Sequence, residues 1–213
     1  YGEHVVYPFG YGLSYTNFRW ELLSEQTAPA AGSSLGADDT ISVTVRVHNE
    51  GDYAGKDVVQ LYYNAPYRIG VANQIEKPHV VLGGYAKTDV IEVGGYDDVT
   101  IELKVRDMAV YDYSDANKNT FKGYELDRGT YNIYLAKNAH ESWAGDDTLS
   151  VRYSVSEAIK FEDENVKNRF DDAGEQIETY IQRDNFEATT PKAMPTREEL
   201  TVDSAFINSL KYD

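Results

Sequence analysis

The chain has 213 residues, enough for one large β domain or for a domain with an extension. It holds no cysteine, which removes any disulfide framework or thiolate metal site, and its 18 tyrosines against 2 methionines favour the pleated, half-buried surface of a β-sheet. A formal net charge of −16 suits a solvated surface and sets the chain against nucleic acid or anionic membrane, since neither would meet a basic patch.

Taken in order, residues 1–14 include Tyr7-Pro8-Phe9-Gly10-Tyr11-Gly12-Leu13-Ser14, where glycines alternate with aromatic rings. Such a stretch makes poor helix and poor strand, but it turns sharply while large rings bury area against something else. With no core of its own, it is expected to dock on a neighbouring surface, with Phe9, Tyr11 and Leu13 as the contact residues. Tyr15–Leu23 reads as the first strand, because Phe18, Trp20 and Leu22 alternate with Asn17, Arg19 and Glu21. Residues 26–40, rich in Ala, Gly, Ser and Asp, read as a mobile surface loop.

Ile41–Tyr63 is the stretch around which the rest is arranged. Ile41, Val43, Val45 and Val47 alternate with Ser42, Thr44 and Arg46, the period of a strand with one wet face. Asn49-Glu50-Gly51-Asp52 supplies turn chemistry. Val58–Tyr63 is then apolar or aromatic at every position except Gln60, which predicts a strand covered on both faces. Pro78 makes residues 67–79 a loop or an edge. Val80–Val93 returns to strand character, with a bulge expected at Gly83-Gly84. Val99, Ile101, Leu103 and Val105 mark another strand, Met108–Tyr113 a short one, and Tyr131, Ile133 and Leu135 the next. Leu149, Val151, Tyr153 and Val155 mark the last. Seven or eight short strands with regular turn signals describe an all-β, two-sheet sandwich of the fibronectin type III-like or immunoglobulin-like kind over residues 15–160.

Beyond Lys160 the alternation stops and acidic runs begin. Thr196-Arg197-Glu198-Glu199 is a capping-box start for a short helix, with Val202, Ala205, Phe206 and Leu210 as its loose apolar face. Residues 161–213 are thus expected to be an irregular, short-helical extension that wraps the sandwich or bridges to another domain. The opening Tyr1-Gly2-Glu3 reads as a cut inside a longer protein. No apolar run approaches the roughly 18 residues of a spanning helix, and no signal-peptide pattern opens the chain. Together with the missing cysteines, this favours the cytoplasm over secretion.

Chemistry-bearing motifs are sparse. Asp115-Ala116-Asn117-Lys118-Asn119 imitates the start of a calcium loop but has Thr120 where the sharp-turn Gly belongs and Leu126 where the bidentate Glu belongs, so a polar hairpin turn is expected. His4, His48, His79 and His140 show no metal-ligand spacing, and no nucleophile elbow or phosphate loop occurs. His140 and Trp143 share a loop where an aromatic would meet either a sugar or a domain contact.

A set of phrases in this chain resembles the glycoside hydrolase family 3 β-glucosidases. They are Tyr7-Pro8-Phe9-Gly10-Tyr11-Gly12-Leu13-Ser14-Tyr15-Thr16, then His48-Asn49-Glu50-Gly51-Asp52-Tyr53-Ala54-Gly55-Lys56-Asp57-Val58-Val59-Gln60-Leu61-Tyr62. Glu76-Lys77-Pro78, Leu82-Gly83-Gly84-Tyr85, Tyr124-Glu125-Leu126-Asp127-Arg128-Gly129-Thr130-Tyr131 and Asn138-Ala139-His140-Glu141 continue the series. Val93-Gly94-Gly95-Tyr96 departs from the family's usual turn there. The resemblance implies the fibronectin type III-like domain of such an enzyme. Asn168-Arg169-Phe170-Asp171-Asp172 with Tyr180 and Arg183 is similar to the subgroup in which a (β/α)8 barrel follows. In that reading residues 161–213 connect to the barrel, Phe170 and Tyr180 join Phe9, Tyr11 and Leu13 as domain-interface residues, and the partners are the α/β sandwich and barrel of the same polypeptide. Catalytic residues, cofactors and metals are not expected in this chain, which would meet a β-glucoside only through the full-length enzyme. The alternative is an independent carbohydrate-binding or adhesive module, for which Tyr62, Tyr63, Tyr85, Tyr111 and Tyr113 would supply exposed rings.

Overall fold

The alternation at Ile41–Val47 becomes a strand whose four apolar residues are almost wholly buried: β2, Thr40–Asn49. It lies in the middle of an antiparallel sheet, between β1 (Phe18–Leu22) and β5 (Tyr96–Lys104). Its opposite face is closed by cross-strand pairs set by register. Thr44 faces Thr100, with their hydroxyls 3.0 Å apart, and Arg46 faces Asp98 in a two-pronged contact at 2.8 Å on each prong. The computed structural model describes residues 5–141, 147–162 and 183. The expected short helix at 196–199 and almost all of the extension therefore lie outside the described residues.

The run Val58–Tyr63 has apolar residues on both faces, and β3 (Val58–Asn64) is covered on both. It sits inside a second antiparallel sheet between β4 (Val81–Lys87) and β8 (Gly129–Ala136), with β9 (Ser150–Val155) at the far edge of β8. Strands β2 and β3 are thus the centres of opposing sheets, joined by the Asn49–Asp57 turn. Between the sheets, Val59, Leu61 and Tyr63 meet Ile41, Val43, Val45 and Ile101 in one core. On the other face of β3, Tyr62 stacks on Tyr134 at 6.0 Å in a smaller cluster.

The expected bulge is at Gly83-Gly84. Leu61 pairs with Gly84 and Tyr62 with Leu82, which leaves Gly83 as the extra residue. A Cβ at Gly83 would lie 2.9 Å from both Leu61 and Leu103, so the bulge is placed where β4 comes down onto the opposing sheet. Two buried polar centres tie loops to this frame. The Asn49 side chain accepts from the Thr16 hydroxyl at 2.6 Å and donates to the carbonyls of Tyr53 and Ile91. The Lys77 ammonium, 1% exposed, binds the Asp127 carboxylate and the Ile75 carbonyl. Tyr131, at the start of β8, sends its hydroxyl back to the Asp127 carbonyl at 3.1 Å, the corner contact common in sandwiches of this kind.

The structure adds to the expected sandwich and corrects it locally. A third, small sheet runs β10 (Ile159–Phe161), β7 (Gly123–Leu126), β6 (Val110–Asp112), giving ten strands among the described residues rather than seven or eight. Three-residue strands are too short for a period of two to register. Phe161 is buried in the main core, so packing runs one residue past the expected edge at 160. The expected strand at 108–113 is shortened because Val105–Met108 form a 3-10 turn that buries Val105 and Met108. The 26–40 loop is held on both sides rather than loose. Ala28 exchanges two backbone hydrogen bonds with Ser42 of β2, and Gly32 and Leu35 donate to the carbonyls of Arg152 and Ser154 on β9. Leu35 drops into the core.

Candidate functional site: an anchored segment with outward rings

Residues 5–16 run across the outer face of the second sheet, and their backbone is fixed there by one side chain. Gln60, the one residue of the Val58–Tyr63 run that is neither apolar nor aromatic, points away from the core. Its amide nitrogen donates to the Gly10 carbonyl at 3.1 Å and the Lys137 carbonyl at 2.7 Å, and its oxygen accepts from the Tyr62 hydroxyl at 2.8 Å. Both its amide protons and one lone pair of its oxygen are used, which satisfies each polar atom of the buried amide. Gly10 lies so close to the Gln60 amide, and at φ +82°, that a side chain there would collide with it. The Ala139 amide donates to the Phe9 carbonyl at 2.9 Å, and Tyr11 closes a turn on the Pro8 carbonyl.

The side chains of the same segment go the other way. Phe9 is 66% exposed, Leu13 88% and Tyr15 97%, and the Tyr7 and Tyr11 rings lie 5.3 Å apart. Phe9, Tyr11 and Leu13 line one side of a groove of about 730 Å³ to which the second sheet contributes Val58, Gln60, Leu82 and Tyr85. Fixing a backbone while leaving its apolar side chains in water is the arrangement of a contact surface, not of a core. Phe9, Tyr11 and Leu13 are therefore brought together on one face, whereas Phe170 and Tyr180 lie outside the described residues. Gln60 and Ala139, which hold this face in place, were missed as site residues. For Gln60 the signal was present, as the one polar position of the otherwise apolar or aromatic run Val58–Tyr63.

The remaining candidates are structural. Asn117 and Asn119 turn inward and donate to the two oxygens of Glu125 at 3.1 and 2.6 Å. Asp115, Lys118 and Thr120 take positive φ in the resulting hairpin turn, so the calcium-like pattern is spent on organising β7. Burial pushes the Glu125 carboxyl up, opposed by its two amide donors. Asp112, also buried, accepts from the amides of Ser114 and Ala116. Both acids are occupied within their own loop. The rings proposed for sugar stacking do not form a line: Tyr62 and Tyr63 are buried, Tyr111 stands edge-on to Tyr124 at 5.0 Å, and Tyr85 is exposed beside the groove. His140 is exposed and its amide is bound by Asn138, while Trp143 lies outside the described residues.

Comparison with known proteins agrees with this geometry. Residues 57–139 match the family model of the fibronectin type III-like domain. The chain is similar to β-glucosidase A of Butyrivibrio fibrisolvens, 39% identical over 72% of this chain and 18% of that protein. It is also similar to a β-glucosidase of Ruminococcus albus, 36% identical over 66% of this chain and 13% of that one. Among solved structures, a β-glucosidase from Paenibacillus barengoltzii superposes with a TM-score of 0.60 at 32% identity over 75% of this chain and 16% of that one. β-Glucosidase 3B from Thermotoga neapolitana does so with a TM-score of 0.57 at 29% identity, over 76% and 19%. The chain thus spans less than a fifth of the length of each of these four proteins.

Proposed function

We infer a role from one premise: the chain carries a fibronectin type III-like domain of the kind found in the glycoside hydrolase family 3 β-glucosidases. That role is non-catalytic. The sandwich braces the catalytic domains of one polypeptide and fixes their relative placement, because misplacement of reacting groups by about 1 Å costs rate heavily. The enzyme as a whole would release terminal β-linked glucose or a related sugar, using two carboxyl groups on opposite sides of the scissile bond. In this reading residues 1–14 arrive from an α/β sandwich domain, residues 15–160 form the brace, and residues 161–213 lead toward a (β/α)8 barrel.

One observation carries the proposal: the 5–16 segment has its backbone fastened by Gln60 and its apolar side chains turned outward. A neighbouring domain seated on Phe9, Tyr11 and Leu13 would remove that apolar surface from water, at about 25 cal/mol per Å². The buried Tyr62 and Tyr63 count against the alternative of a free carbohydrate-binding module. Two measurements test the reading. The purified chain should hydrolyse no aryl β-glucoside, and calorimetric titration with cello-oligosaccharides should give no saturable heat. Turnover by the chain alone would end the brace proposal, and saturable binding would favour the module.

A further inference from the structure

The loop between β3 and β4 presents three side chains to one arginine. Ile75 and Lys77 turn inward, both almost fully buried, so Glu76 between them and His79 after Pro78 turn outward. The Tyr67 hydroxyl donates to Glu76 Oε2 at 3.0 Å and holds the carboxylate in place. Asn64 on β3 donates to the His79 carbonyl, and Gln74 ties the amide of Arg68 and the carbonyl of Val71 together, so the loop is built before anything joins it. Onto it comes Arg183, more than a hundred residues along the chain. Its backbone amide donates to Glu76 Oε1 at 2.6 Å, its Nη2 lies 2.7 Å from His79 Nδ1, and its guanidinium sits 4.6 Å from the centre of the Tyr67 ring.

We propose that Tyr67, Glu76 and His79 form an arginine seat whose occupant is Arg183 of the same chain, and that the seat is a latch which closes only while His79 is neutral. The contact fixes the chemistry. Arginine has no acceptor, so Nη2 donates and His79 Nδ1 must present its lone pair, with the ring proton on Nε2. Protonating Nδ1 places a second donor and a second positive charge against the guanidinium, and the bond becomes a repulsion. The planar guanidinium also lies over the Tyr67 ring, a contact that lysine matches poorly.

The groups facing His79 agree with that direction. From the C-terminal side there is the Arg183 guanidinium. Within the loop, the Glu76 carboxylate is engaged by Tyr67 and by the Arg183 amide. Among the described residues, Lys77 points away, to Asp127, and from β3 the neutral Asn64 binds the His79 carbonyl. Arg68, Asp127 and Arg128 line a separate groove with Tyr67. Desolvation of the ring, and then the Arg183 charge, hold His79 below the ordinary imidazole value. The closed latch therefore binds fewer protons than the open one. Its full strength is present above the free imidazole pKa of about 6.5, and it is lost as pH falls through the lower value of the closed state.

The test uses the whole 213-residue chain. Amide exchange is followed by NMR and referenced at each pH to the intrinsic rate, with the His79 ring titrated in parallel. At pH 7.5 the Arg183 amide should exchange roughly tenfold or more slowly than an unbonded one, and that protection should vanish near pH 5. His79→Asn keeps an acceptor where Nδ1 stood and has no proton to gain, so it should stay protected at both pH values. Arg183→Ala should raise the His79 pKa toward the free value, with Arg183→Lys intermediate and the thermal midpoint of the sandwich unchanged in all three variants. An unprotected Arg183 amide at pH 7.5, or a His79 titration identical in wild type and Arg183→Ala, would overturn the latch. Loss of protection near pH 5 in His79→Asn would overturn its pH dependence.

Discussion

The segments on either side of β1 solve the same problem in opposite ways. Both lack a regular period, and both are fastened by backbone hydrogen bonds, residues 24–39 to β2 and β9 and residues 5–16 to Gln60 and Ala139. The later segment then turns its apolar residue, Leu35, into the core, whereas the earlier one turns Phe9, Tyr11 and Leu13 out. The later segment is complete within the domain, where it covers the backbone edge of β9 and lowers the hazard of an open edge strand. The earlier one leaves its apolar residues in water, and in the proposed role a neighbouring domain covers them. Stability within the chain and contact beyond it are thus assigned to different stretches, and they are separable by experiment.

Alkaline pH attacks the completed side with the largest effect. Burial pushes Tyr63, Tyr134 and Tyr153 up to about 12 from an ordinary 10.0. A raised phenol pKa means stability that is whole below pH 10 and lost as pH climbs toward 12. Cooperative unfolding in that window, coincident with phenolate absorbance, is expected. Buried rings that ionise with the fold intact would contradict it. Leu35→Ala comes next, with a loss of about 3 kcal/mol in urea unfolding from lost transfer energy and a cavity. Gln60→Ala should cost roughly 1–3 kcal/mol, since the Tyr62 hydroxyl and two carbonyls lose their partner, and it should raise amide exchange across residues 7–16. Leu13→Ser should move the isolated chain by less than about 0.5 kcal/mol. In the joined polypeptide the same change should weaken docking, a difference that loss of Leu35 would not show.

The central strands were legible because burial on one or both faces writes a period directly into β2 and β3. The bulge was legible because two adjacent glycines in a strand have few other uses. The third sheet was legible only at β6, inside the short strand expected at 108–113; β7 and β10, four and three residues long, are too short for a period of two to show. The held 26–40 loop was not legible: its small, polar composition describes what the side chains fail to bury, while its anchorage is made by backbone groups that composition does not report. Phe9, Tyr11 and Leu13 are exposed, as apolar residues with no local core to enter, and the domain contact expected of them is the proposal made above. Gln60 was visible as an exception, but its partners lie 50 and 77 residues away, and no local pattern encodes a contact at that range. The Arg183 seat is illegible for the same reason, because Glu76 and His79 acquire meaning only when a distant arginine reaches them.

The central claim is that the 5–16 face is the seat of a neighbouring domain. Hydroxyl-radical footprinting of Phe9, Tyr11 and Leu13 tests it most directly, in the isolated chain and in the same chain joined to an α/β sandwich and a (β/α)8 barrel. The brace account predicts strong labelling of all three in the isolated chain and marked protection in the joined protein, with Tyr85 followed alongside them. Equal labelling in the two would contradict it.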